Sequence, residues 1–536
     1  MTNFFDAFTR IGPRPNGHRH HPWTLDHLTA ELEHCSISGA LVSDTMQVQY
    51  DAMHENLRLC EKLSRYDHLF PIWNVFPHWT EECPAPDVLT QMMQEHGVRA
   101  VTLYPKTNNY SILSGTTTPL LEALAHTRTL TIVEGGAEIT FDELETISQR
   151  HPELPILVTK CWWSMQRCLW PLILRYPNLH VCFTDMQANR ALEWLVEKGC
   201  EDQLLFASNA PEMSAGAHRA YLDWSDLPDP VKQKVASGNL ARILDGPAPP
   251  QEASNAQEDE LMAETRRGEP VSCLTLDMHA HMLNEGLNGA GGGYMMFNGG
   301  PDGQHELGRR MGVDGIGIMS WEGTVGVNAE QGNQTVAEAL DAYPEFYWGL
   351  ATFDVIHDSP EDMVRQMEAR FSDPRFVGLK PYPRYGIPYD DSRYDCWWEF
   401  GNQRGLYAGF HPVHWYKPGE FASVCERFPN LTVVAYHCGA SYEIADTVIE
   451  LAQTYPNFMI EPTLTPVCGG VIDYLVEGAG ADRVMYGSDQ PMRDPRQQLG
   501  WIVFSRLDLE TKKRVLGGNA QALLEKVNWP ASKCEA

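Results

Sequence analysis

The chain is written twice, and that duplication constrains its fold more than any other feature. NLRLCEKLSRY from Asn56 is matched by NQTVAEALDAY from Asn333, and DHLFPIWNVFP from Asp67 by PEFYWGLATFD from Pro344, both 277 positions later. VRAVTLYPKTNNYSI from Val98 then pairs with VGLKPYPRYGIPYDD from Val377, and HPELPILV from His151 with FPNLTVVA from Phe428. YPNLHVCFTD from Tyr176 pairs with YPNFMIEPTL from Tyr455, and LLFASNAP from Leu204 with VMYGSDQP from Val484. The order is kept and the offset stays between 277 and 280, as tandem duplication leaves it. Whatever one half folds into, the other half repeats.

Each half alternates short Val/Ile/Leu/Phe runs with helical patterns. DGIGIMS (314–320), LTVVAYH (431–437) and RVMYGSD (483–489) read as strands, and VAEALDAY (336–343), PEDMVRQMEARF (360–371) and YEIADTVIELAQTY (442–455) as helices. Nearly continuous apolar strands alternating with helices predict a parallel sheet covered on its faces. About eight such units per half predict a closed (β/α)8 TIM-like barrel, and 536 residues accommodate two barrels of roughly 250 residues. The expected organisation is a first barrel over 1–245, a linker over 246–270, a second barrel over 271–527 and a tail over 528–536. The linker opens Pro/Ala-rich and has room for a short helix.

The second half carries a constellation suited to metal chemistry. His279 and His281 in LTLDMHAHM are two apart, so an extended strand projects both imidazoles to one face. His411 closes YAGFHP, His437 closes LTVVAYHCG, and Asp489 closes YGSDQP. These three end an apolar run before a loop, which in a barrel brings them to the catalytic face. A carboxylate ending a buried run needs a cation or donors, and neutral imidazoles with a carboxylate suit Zn²⁺, Mn²⁺ or Fe²⁺.

DMHAH (277–281), HPVHW (411–415), YHCG (436–439) and YGSDQP (486–491) resemble the amidohydrolase superfamily, in its amidohydrolase-related branch of aminocarboxymuconate-semialdehyde and resorcylate-type decarboxylases. The resemblance is good over 273–527 and faint over 3–245. It implies a barrel enzyme with one divalent ion per chain, Zn²⁺ preferred and Mn²⁺ or Fe²⁺ as alternatives. It implies His279, His281, His411 and Asp489 as metal ligands, with His437 and Asp489 as catalytic groups. His414 competes with His411 for the ligand role. A divalent ion lowers the pKa of bound water and polarises a substrate oxygen, so hydrolysis of a C–N, lactone or related acyl bond is the leading expectation. Non-oxidative decarboxylation uses almost the same groups and stands as the alternative. A noncatalytic metal-binding scaffold is the reading from a different class.

Around this set, Lys380 in VGLKPYP, Arg384 and Tyr385 in the following loop, Trp321 after GIGIMS, and Tyr294 in a Gly-rich loop over 284–303 are candidate substrate-binding residues. That loop lacks the Lys-Ser/Thr of a phosphate cradle and reads as a lid or an insertion. In the first half the metal pattern fails residue by residue. Phe8 and Arg10 stand for His279 and His281, Glu134 for His411, Lys160 for His437, Asn209 for Asp489 and Thr102 for Lys380. The first barrel is therefore expected to be a degenerate support. His18 and His20 have HxH spacing but fall in a loop after GPRPNG.

With 41 basic against 71 acidic residues, an extended nucleic-acid surface is not expected. No membrane span is expected, and the first twenty residues do not read as a secretion signal, so the cytoplasm is the expected location. A small molecule is the expected partner. The chain is expected either as a monomer whose duplication forms an internal pseudo-dimer or as a homodimer.

Overall fold

A computed structural model of the chain describes residues 2–15, 17–250, 258–284, 295–412 and 418–527. Tyr294 with residues 285–293 of its Gly-rich loop, His414, the middle of the linker and the tail lie outside the described residues. The chain divides into two compact units, residues 1–187 with 191–258, and residues 188–190 with 259–536.

The first unit is built on seven parallel strands: β1 (Phe5–Ile11), β2 (Gly39–Asp44), β3 (Leu69–Asn74), β4 (Ala100–Leu103), β5 (Leu130–Glu134), β6 (Ile156–Thr159) and β7 (Leu179–Val181), paired in sequence order. The second unit repeats this with β8 (Leu276–Met282), β9 (Gly315–Ser320), β10 (Tyr347–Ala351), β11 (Phe376–Leu379), β12 (Tyr407–Phe410), β13 (Thr432–Ala435) and β14 (Phe458–Ile460). Both are curled, TIM-barrel-like sheets. Their strands are buried along nearly their whole length, GALVSD in β2 and GIGIMS in β9 without an exposed residue, as expected where helices cover the sheet. The intervening helices start on local signals. Ser359 accepts the N–H of Asp362 ahead of Pro360–Arg370, and Ser441 accepts that of Ile444 ahead of Tyr442–Thr454.

The eighth strand anticipated at 483–489 is not a regular strand. Val484 bridges Ile460 and Gln490 bridges Ala280, so this stretch runs from β14 back to β8 without forming a ladder. Asp277 Oδ1 accepts the N–H of Ser488 at 2.9 Å and that of His279 at 3.0 Å, and the Ser488 N–H also reaches the His279 carbonyl at 3.2 Å. The first unit does the same: Asp6 Oδ1 accepts from Ser208 at 3.1 Å and Phe8 at 3.0 Å. Both units also have a register shift in their first strand, between Asp6 and Thr9 and between Asp277 and Ala280. A bulge re-aims the residues that follow it, here the histidines. Below these positions, Leu276, Met278, Trp348, Tyr407 and Tyr436 pack the interior of the second unit, and Phe5, Phe8, Leu41 and Ile132 that of the first. The expected linker contains a helix, Glu260–Arg266.

Candidate metal centre

Strand ends converge at one buried cluster in the second unit. β8 carries His279 and His281. His411 directly follows β12, His437 lies just past β13, Glu461 directly follows β14, and Asp489 sits on the irregular stretch beyond. Asp489 Oδ1 is 3.4 Å from His279 Nε2 and 3.3 Å from His281 Nε2. His437 Nε2 lies 3.0 Å from His411 Nδ1. His437 Nδ1 lies 2.7 Å from the carbonyl of Thr463, which can only accept, so Nδ1 carries the proton.

Two groups among the described residues place three ligand atoms within 4.8 Å of one another: His279, His281 and Asp489, and His279, His437 and Glu461. His411 belongs to neither and meets the cluster through His437. His279 Nε2 and Asp489 Oδ1 are buried without a hydrogen-bond partner. Buried polar atoms left so are costly, and a divalent cation between them would satisfy both. The donors, imidazole nitrogen and carboxylate oxygen, fit such an ion. The cluster is thus a candidate divalent-metal site.

The electrostatics agree. Burial, reinforced by Lys380, holds His279, His281 and His411 well below the ordinary histidine range. Burial and then His411 do the same to His437. These imidazoles are neutral, the form that binds metal. Burial also drives Lys380 well down and pushes Glu461 up to about 8.

The backbone is unusual at the same places. His437 and Asp489 have φ of 66° and 55°, in the left-handed region that costs non-glycine residues about 1–3 kcal/mol. Lys160 and Asn209, their counterparts in the first unit, have φ of 56° and 58°. Duplication preserved the turn while the side chains changed.

Of the other anticipated residues, Lys380 is fully buried, its Nζ 4.1 Å from the Tyr436 ring centroid and without a hydrogen-bond partner. Trp321 packs edge-on against His281 at 5.2 Å. Tyr385 is half-buried and Arg384 exposed on the turn Pro383–Tyr385. His18 and His20 stack on each other at 5.4 Å on a partly exposed loop. Sequence reasoning missed two residues. Glu461 Oε2 lies 3.0 Å from His279 Nδ1. Arg493 forms an ion pair with Asp489 and donates from Nε to Thr465 Oγ1 at 2.8 Å. A signal for Glu461 existed: FMIEP ends an apolar run in a carboxylate before a proline, much as YGSDQP does around Asp489.

In the first unit, Arg10 Nη2 lies 2.5 Å from Tyr104 Oη and 3.0 Å from Glu134 Oε1, and Asn209 donates to Glu212 at 2.6 Å. An internal guanidinium joins the strand ends there. Both candidate metal groups among the described residues lie in the second unit.

A family model described as Amidohydrolase matches residues 26–246 and again residues 276–526. The chain belongs to the amidohydrolase family. Both halves carry the match, so the internal repeat is a duplication of an amidohydrolase domain. No curated protein matches this amidohydrolase. Solved structures similar to it include an uncharacterised TIM-barrel protein from Bordetella bronchiseptica, at 17% identity over 48% of this chain and 99% of its own, with a TM-score of 0.39. A dihydroxybenzoic acid decarboxylase from a Polaromonas species, with bound manganese and 2-nitroresorcinol, is 16% identical over 49% of this chain and 100% of its own, TM-score 0.36. An amidohydrolase from Burkholderia multivorans with bound zinc is 14% identical over 48% and 100%, TM-score 0.38. Family membership and the buried donor set together support catalytic potential at a metal-dependent site. No helix among the described residues is long and apolar enough to cross a membrane.

Proposed function

We propose that the second unit is a metal-dependent hydrolase of a small polar or carboxylated molecule, cleaving a C–N, lactone or related acyl bond, and that the first unit is a degenerate copy supporting it. One observation carries this reading: the buried, unpartnered His279 Nε2 and Asp489 Oδ1 face each other at 3.4 Å, with His281 Nε2 3.3 Å from the same oxygen. His279, His281, His411 and Asp489 would hold one divalent ion, Zn²⁺ by preference. When bound, the ion supplies Lewis-acid polarisation of a substrate oxygen and lowers the pKa of water.

The protein's own groups do the rest. Asp489, ion-paired with Arg493, accepts a proton from the attacking water. His437 has Nδ1–H committed to Thr463, so its Nε2 lone pair takes up and returns a proton. Arg493 gives the pocket a positive side for a substrate carboxylate, and Lys380, which burial drives toward its neutral amine, has an uncommitted Nζ to offer the substrate as a hydrogen-bond donor. Trp321 supplies an apolar wall.

The same two side chains favour a second reading, non-oxidative decarboxylation of an aromatic or unsaturated acid. Product analysis separates the two. Hydrolysis incorporates ¹⁸O from labelled water and releases no CO₂, whereas CO₂ release with the remaining skeleton intact rejects it.

A further inference from the structure

The cluster offers two places for an ion, and Glu461 borders only one. Oε1 accepts the Thr463 N–H at 2.6 Å and meets the Thr463 hydroxyl, which also reaches the Gly487 carbonyl at 2.5 Å, and Oε2 faces His279 Nδ1 at 3.0 Å. Each oxygen is thus already turned to a protein partner. Two residues on from Glu461, Thr463 turns its carbonyl to His437 Nδ1 at 2.7 Å. A single tripeptide, Glu461-Pro462-Thr463, therefore meets the Nδ1 atoms of two histidines that arrive on other strands.

The consequence is a choice of tautomer. A histidine binds a cation through a nitrogen lone pair, and the hydrogen bond made by the other nitrogen decides which lone pair is available. With Nδ1–H donated to Glu461, His279 presents the lone pair of Nε2 toward Asp489 and His281. The ring has little freedom to do otherwise. Tyr436 stacks on it at 3.8 Å with 14° between planes, and the Tyr436 hydroxyl is tied to the Met278 carbonyl at 3.0 Å. Gly487 makes the approach of the two side chains possible, because a Cβ there would lie 2.8 Å from both Glu461 Cδ and His279 Cβ.

We infer that Glu461 is a positioning residue rather than a ligand: with Thr463 it clamps His279 in the Nδ1–H tautomer and so selects the His279–His281–Asp489 group as the seat of the ion. The inference rests on the metal-dependent reading above and names the residue on which its donor geometry depends. The first unit has Cys182 at the matching position, and no imidazole at the place of His279.

The test uses the full-length chain stripped of metal, with Zn²⁺ and then Mn²⁺ titrated against a competing chelator. Glu461→Gln keeps size and hydrogen-bonding capacity but cannot accept from both Thr463 and His279 with its one oxygen. With that oxygen kept on Thr463, its NH₂ faces Nδ1 and favours the Nε2–H tautomer. Its affinity should fall 10–100-fold. Glu461→Asp, which restores two acceptor oxygens, should recover part of the loss. ¹⁵N NMR of the metal-free protein above about pH 8, where Glu461 is the carboxylate, should show His279 protonated on Nδ1 in the parent and on Nε2 in Glu461→Gln, a change that loosened packing alone does not produce. Binding by Glu461→Gln within twofold of the parent, or an unchanged His279 tautomer, overturns the clamp while leaving the metal site standing. Failure of the parent chain to bind either ion overturns the proposed function and the clamp with it.

Discussion

Asp277 holds Ser488 by two hydrogen bonds, one from its backbone N–H at 2.9 Å and one from its hydroxyl at 2.5 Å, and so ties the first strand of the second unit to the stretch that carries Asp489. Replacing Asp277 with Ala strands the buried N–H of His279, at about 1–3 kcal/mol, and leaves the Ser488 N–H only the His279 carbonyl at 3.2 Å. We expect a lower unfolding midpoint and weaker divalent-metal binding. Asp277→Asn should retain most of both. Denaturant titration with metal-binding curves on the two variants checks this, and an Ala variant as stable as the parent contradicts it.

Asp489→Asn removes the negative charge from between His279 and His281 while keeping the volume. Turnover should fall by at least about 10²-fold, the scale of losing a positioned proton acceptor, with the circular dichroism spectrum unchanged. Steady-state rates on metal-replete protein decide it. Parent-like turnover would falsify the role assigned to Asp489.

Metal content should be close to one ion per chain, and chelation should abolish activity until Zn²⁺, Mn²⁺ or Fe²⁺ is restored. The first unit offers Phe8, Arg10, Glu134, Lys160 and Asn209 at the corresponding positions. Elemental analysis returning two ions, with one placed among those five residues, contradicts its reading as a degenerate copy.

Acid should destabilise the first unit through buried histidines. Burial lowers His180 and His218 from 6.5 to about 3. A depressed folded-state value means that the unfolded chain binds the proton first. The stabilising contribution is present above pH 6.5 and is lost as pH falls from 6.5 toward 3, at up to about 1.4 kcal/mol per pH unit for each group. The denaturation midpoint should drop between pH 7.5 and 5. His180→Gln combined with His218→Gln should flatten that slope, and an unchanged slope rejects the assignment.

Much of this arrangement could be read from residue order. The repeat offset foretold two copies of one sheet, and strand-end positions foretold that His279, His281, His437 and Asp489 would gather. Glu461 escaped because its partner His279 lies 182 residues away, and nothing local to FMIEP says which imidazole it meets. Arg493 escaped because a cation four residues after Asp489 reads as surface until the chain is folded. RVMYGSD had the apolar pattern of a strand, yet it joins β14 and β8 through isolated bridges, with the Ser488 N–H shared between the Asp277 side chain and the His279 carbonyl.

Periodicity and spacing are properties of short stretches of chain, so they were enough to specify the duplicated α/β architecture and the residue types able to bind a cation. Orientation is not local. Which nitrogen of His279 faces Asp489, and which carboxylate stands behind that ring, depend on strands brought together from across nearly the whole second unit. Those contacts exist only once the interior is packed and water is excluded from between them.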